Sequence, residues 1–320
     1  MVNDAHRERN AVLSIMTIRT LIVLSSFLWV LFLPPAVLAG QAPIRVVATI
    51  FPLTDIVREI GGTRVYVTTL LTGGMSEHTF EPTTSQIRQM AYASLYVRVG
   101  AQMDTWGDKL LAAAKRPPVI VTATSGIPLL SVHQQELEWN HRAGGHQHEG
   151  DDPHVWLDPV LVRDHVVPAV VDALIRISPK DAPYFRANGG KYILALSRLD
   201  QDMRTGIGSL SKKDFIALHG AWHYLAKRYG LRQIAAVEPF PGKEPSAKYL
   251  AALVSLARKK RVTTIFAEPQ LSAKAAEVIA RELKGRVLLL DPLGGEMIRE
   301  RNGYIPLMRY NLSIIARGMK

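Results

Sequence analysis

From Ile44 onward the chain alternates short apolar runs with stretches whose apolar positions recur every three or four residues. RVVATI (45–50), VYVTTLL (65–71), SLYVRVG (94–100) and PVIVTA (118–123) are predicted as buried strands, with helices over 55–61, 85–93 and 105–115. After residue 214 the same rhythm returns. FIALHG (215–220), RQIAAVE (232–238), TTIFAE (263–268) and RVLLLD (286–291) are strands, separated by helices near 221–229, 246–260 and 272–284. A last helix is expected from Ile305 to Arg317. Between the two sets lie a helical pattern over 164–177, interrupted by Pro168, and a longer one from about Ala182 to Thr205. In the longer one Tyr192, Leu196, Leu199 and Met203 form the apolar stripe, although Gly189 and Gly190 each cost about 1 kcal/mol in a helix interior. Strands alternating with helices imply parallel, helix-covered sheets. The expected fold is α/β: two lobes, each with a mainly parallel sheet, joined by one long linker helix.

The first 39 residues stand apart. Arg19 precedes an apolar run from Leu21 to Leu33, followed by Pro34, Pro35 and AVLAG. That is the layout of a signal peptide cleaved after Ala39, since the run is short of the ~20 residues of a membrane span. The polar stretch before Met16 is long for a signal peptide, so Met16 is an alternative start. The expected organisation is a signal at 1–39, a first lobe at 40–178, a linker helix at 179–206 and a second lobe at 207–320. No cysteine occurs among the 320 residues, which excludes disulfides, thiolate metal sites, cysteine-linked lipids and cysteine nucleophiles. A periplasmic, exported, monomeric protein is expected.

The net charge is +11. Residues 1–39 hold Arg7, Arg9 and Arg19 against Asp4 and Glu8, which leaves +10 on the remainder. The basic residues are scattered along the sequence, and the densest run, Arg258 to Arg261, falls at an expected helix C-terminus, where cations meet the macrodipole favourably. Nucleic acid is therefore not an expected partner.

The candidate chemistry lies in the histidines. Glu77 and His78 follow one strand by a short loop, His219 ends another, Asp291 ends a third and Glu268 a fourth, while His154 sits in the tight DPHVWLDP segment (152–159). Ligands of open α/β sheets bind outside the carboxyl ends of the strands. Taken singly, each histidine is more often structural than a ligand; together with Asp291 the three make a plausible tetrahedral shell. His6, His133 and His165 read as solvated or packed. The stretch from His141 to Asp152 is polar and low in complexity, and its His141, His146, His148, Glu149, Asp151 and Asp152 read equally as a weak metal-gathering loop and as a linker.

These residues carry a resemblance. EHTFEPT (77–83), DPHVWLDP (152–159), IFAEPQ (265–270) and LDPL (290–293) resemble the motifs of the periplasmic metal-binding proteins of zinc and manganese ABC importers, in family order, from about Val46 to near the C-terminus. The resemblance implies metal held between two lobes by His78, His154, His219 and Asp291, and a membrane ABC permease as partner. It implies no catalytic residue and no resident cofactor, because Zn²⁺ would be cargo. HGAWHYL (219–225) stands where the family has a segment like HDAYGYF. Gly220 thus replaces an aspartate, which puts a supporting hydrogen bond in doubt, and His223 is an extra imidazole that reads as a packed helix residue. Manganese members tend to carry glutamate at the third ligand position, so His219 favours zinc; imidazole suits Zn²⁺, while carboxylate-rich shells suit Mn²⁺. Manganese or another divalent ion is the alternative cargo. A zinc hydrolase with Glu77 as base is a remoter one: the glutamate of the H-E-x-x-H helix is replaced by Gly220. A surface adhesin has still less behind it.

Overall fold

Four parallel strands, β1 (Ile44–Ala48), β2 (Val65–Thr69), β3 (Leu95–Arg98) and β4 (Val119–Thr122), form the first sheet in the order β2-β1-β3-β4. Four more, β5 (Asp214–Ala217), β6 (Arg232–Ala236), β7 (Thr264–Ala267) and β8 (Arg286–Leu289), form the second in the order β6-β5-β7-β8. The two sheets therefore repeat one topology, each with its point of strand-order reversal between the first and third strands. The computed structural model describes residues 42–71, 75, 80–131, 150–239 and 244–320; the expected signal peptide, Glu77, His78 and the stretch 132–149 lie outside them. No helix among the described residues is long and apolar enough to cross a membrane.

The first sheet is served by α1 (Phe51–Gly61), α2 (Thr84–Met90) and α3 (Trp106–Leu111), the second by α6 (His223–Tyr229), α7 (Ala247–Lys260) and α8 (Lys274–Glu282). Local chemistry sets several ends. Thr83 and Gln86 form a reciprocal capping box at the start of α2, and Ser246 caps α7 by accepting from Tyr249 N. Gly230 ends α6 in the left-handed region, which glycine enters at little cost.

Two helices lie between the sheets. Helix α4 (Val167–Ile177) is entered through a helical turn at Pro159–Leu161 and a π-helical turn at Val162–Val166. Pro168 falls near the N-terminus of α4, where its missing N–H costs little, so the proline is accommodated without a break. Helix α5 (Ala182–Gly208) is the expected linker, continuous through Gly189 and Gly190. Gly189 is there for packing: a Cβ would stand 2.6 Å from Val171 Cγ2 on α4.

Helix α5 packs on α1, on α4 and on the last helix, α9 (Tyr304–Gly318). Its buried Leu196, Leu199 and Met203 belong to one apolar cluster with Val97 of the first sheet and Phe215 and Phe266 of the second. A second cluster, with Ile216, Ile265 and Leu253, lies in the second lobe alone. Moving the lobes apart would open the shared core, whose close packing tolerates few voids. Small-angle scattering of metal-free and metal-loaded protein should therefore nearly superimpose; a marked compaction on loading would show that α5 bends.

Candidate metal centre

His154 and His219 come from different lobes and meet with Nε2 to Nε2 at 3.4 Å, both rings buried. Two nitrogens on a tetrahedral zinc, each ~2.0–2.1 Å from the metal, are about 3.3 Å apart. The pair has the bite of a chelate.

The other nitrogen of each ring faces a carboxylate. Asp152 Oδ1 lies 2.7 Å from His154 Nδ1 and also accepts from the His154 backbone N–H at 2.9 Å, so the side chain folds back on its own loop. Glu268 Oε2 stands 2.6 Å from His219 Nδ1, and Glu268 Oε1 accepts from Trp222 Nε1. With the proton on the ring nitrogen that faces the carboxylate, each Nε2 would present its lone pair to a metal between the rings. This is the histidine–carboxylate arrangement that orients metal ligands. Burial pushes the Asp152 carboxyl up, but His154 and then His223 outweigh it and hold it well below the usual carboxylate range.

Placement follows from topology. His219 follows β5 and Glu268 follows β7, the two strands that flank the order reversal of the second sheet, where open α/β sheets form their binding crevices. Gln233 fixes the β5 loop by donating to His219 O and accepting from Trp222 N. Glu268 is the carboxylate that stands beside the His219 ring. His223 is the packed helix residue expected from the sequence, and its Nδ1 lies 3.1 Å from Asp152 Oδ2, so one aspartate serves imidazoles of both lobes. The signal that could have found this was Asp152 itself, two residues before His154.

Asp291 follows β8 and is fully buried. Its Oδ1 accepts from Gln270 Nε2, Leu293 N and Gly294 N, and its Oδ2 accepts from Arg301 Nη1 at 2.6 Å. Asn311 grips its backbone on both sides. The structure thus brings His154 and His219 together and sets Asp291 in an ion pair with Arg301. No group of three His, Asp or Glu side chains among the described residues is gathered as a metal site. His78 and Glu77 lie outside those residues.

The DPHVWLDP segment also clasps the second lobe. Trp156 Nε1 donates to Pro292 O, next to Asp291, and Tyr304 OH donates to Trp156 O. Asp158 starts the turn at Pro159 by accepting from Val160 N, and both of its oxygens accept from Arg228 Nε on α6. Tyr224 OH donates to Asp152 O.

Two parallel-sheet lobes share one long helix, and two imidazoles are buried where the lobes meet. The chain belongs to the family of zinc-uptake complex component A, periplasmic, whose model matches residues 46–318. That family provides a component of an uptake complex and not an enzyme. The high-affinity zinc uptake system protein ZnuA of Bacillus subtilis (strain 168) is 33% identical over 278 residues, covering 85% of this chain and 86% of that one. The zinc-binding protein AdcA of Streptococcus pyogenes serotype M3 (strain ATCC BAA-595 / MGAS315) is 32% identical over 302 residues, 90% of this chain but only 58% of that protein. The chain thus spans little more than half the length of that relative. A crystal structure of ZnuA is similar with a TM-score of 0.76 at 29% identity, covering 87% of this chain and 100% of that chain.

Proposed function

We propose that the chain captures Zn²⁺ between its lobes and delivers it to a membrane ABC permease, outside the cytoplasm, as an exported monomer. His154 and His219 hold the ion through Nε2; His78 and Asp291 complete the shell. The observation that carries this reading is the 3.4 Å approach of two Nε2 atoms whose partner nitrogens face carboxylates. The names of the relatives support zinc as the cargo. A third imidazole in place of a carboxylate disfavours manganese. Element-resolved mass spectrometry of protein isolated at natural expression level tests the cargo: one zinc per chain is expected, and manganese in its place would overturn the choice of metal.

Proton competition gives a second test. Ligand imidazoles must be neutral to bind, and ordinary ones titrate near pH ~6.5. Zinc affinity should therefore fall as pH drops from about 7.5 to 5, with proton release on binding. Asp152 adds no step in this window, because its folded pKa lies below the usual carboxylate value; its contribution, present above that value, is lost only in stronger acid. Affinity that stays flat across the window would contradict imidazole ligation.

A further inference from the structure

The basic residues that look scattered in sequence are gathered by the fold. In the second lobe the imidazole and carboxylates of the metal centre lie at the carboxyl ends of the strands. The segments 209–214, 230–232, 258–263, 282–286 and 317–320 meet at the opposite, amino end. Arg232 N donates to Lys213 O, Arg286 N to Thr263 O, and Lys212 Nζ to Lys320 O. Those five segments hold eleven lysine and arginine side chains against two carboxylates, Asp214 and Glu282.

Part of this charge has local work. Lys213 Nζ donates to Ile207 O at the end of α5, and Arg286 Nη2 donates to Arg317 O at the end of α9, as cations at helix C-termini do. Asp214 is taken by Arg232 and Lys260, and Glu282 by Arg258. Among the rest, Lys259, Arg261 and Lys284 are exposed, and no carboxylate partner is seen for them among the described residues. Lys259 and Arg261 stand at the C-terminus of α7, whose macrodipole favours cations, but no carboxylate there balances their charge.

We propose that this end of the second lobe is an electrostatic docking face for an anionic phospholipid surface. The cations come from five chain segments and spread across the end of a sheet, so they match a plane of negative charge better than a single phosphate. Strand length sets the geometry. Four residues at ~3.3 Å each put the metal centre about 13 Å or more from this face, so a docked molecule keeps its imidazoles turned to the compartment.

The test uses the chain beginning at Gly40 and sedimentation with vesicles of phosphatidylcholine, alone or mixed with phosphatidylglycerol. Binding is expected to the mixed vesicles only and to disappear at high salt. The triple variant Lys259→Gln, Arg261→Asn, Lys284→Asn uses asparagine where the backbone is left-handed, at Arg261 and Lys284. Each cation near an anionic membrane is worth about fivefold in partitioning, so the variant should bind about a hundredfold less while its thermal unfolding and zinc isotherm stay unchanged. The control triple Arg186→Gln, Lys191→Gln, Arg198→Gln removes equal charge from exposed positions of α5 and should bind as the parent does. Equal loss in both variants would reduce the effect to net charge and overturn the proposal. So would absence of binding to the mixed vesicles, or binding only to a soluble polyanion such as heparin.

Discussion

His154→Ala is expected to weaken zinc binding by several kcal/mol, whereas deleting residues 141–149 should leave the tight site almost unchanged. Complete structural zinc sites are worth roughly 10–16 kcal/mol at neutral pH, so one of four ligands accounts for about 3 kcal/mol, or a hundredfold and more in affinity. His154 is held before the metal arrives, by Asp152 on its ring and backbone and by Trp156 through Pro292. The imidazoles of His141, His146 and His148 stand in a Gly-containing polar stretch. Ordering them around an ion costs roughly 1–2 kcal/mol of backbone entropy per residue. Their deletion should abolish only a weaker, second equivalent of zinc. Calorimetric titration of both variants beside the parent decides. A deletion as damaging as His154→Ala would show that the ligand set is mistaken.

Arg301→Gln should act in opposite directions on the metal-free and the zinc-bound protein. Removing the guanidinium leaves the buried Asp291 carboxylate without its counter-charge, a change that costs about 3–5 kcal/mol at comparable sites. Gln270 and two backbone N–H groups still bond Asp291, so about 2–4 kcal/mol is expected for the metal-free fold. All of the carboxylate's close contacts are donors, and a zinc ligated by Asp291 must displace one of them. The cation is the donor whose charge zinc replaces. Zinc should therefore bind Arg301→Gln more tightly than the parent, and saturating zinc should restore most of the lost stability. Chemical denaturation with and without zinc measures both. A variant destabilised equally in the two states would remove Asp291 from the shell.

The elements were legible in the sequence because their signals are local: apolar runs for the strands and a three-four stripe on α5. Even Gly189 and Gly190, which argue against a helix by propensity, yielded to packing, since the contact of Gly189 with Val171 repays the conformational cost. His154 and His219 were legible through spacing and resemblance. Their supports were not. Glu268 was legible at a strand end, but its pairing with His219 across the order reversal was not; Arg301 reaches Asp291 from the segment before α9, and His223 reaches Asp152 from the other lobe. No period or motif encodes such pairings, which exist only once the strands are ordered. The basic face was hidden for the same reason: charges far apart in the chain become neighbours at one end of a parallel sheet.

The segment from Asp152 to Asp158 also constrains when the protein can become functional. Apart from Leu130, whose carbonyl accepts from Asp152 N, the partners named for it follow it in the chain: Tyr224 and Arg228 about seventy residues on, Pro292 after 136 and Tyr304 after 148. A chain emerging N-terminus first can build the first sheet early, from contacts between near neighbours. It cannot settle the loop that carries His154 until nearly the last helix has appeared. Contacts of such long sequence separation form slowly, because loop closure precedes any gain from them. The metal centre is therefore among the last parts of the molecule to assemble, and zinc binding reports completion of the whole fold.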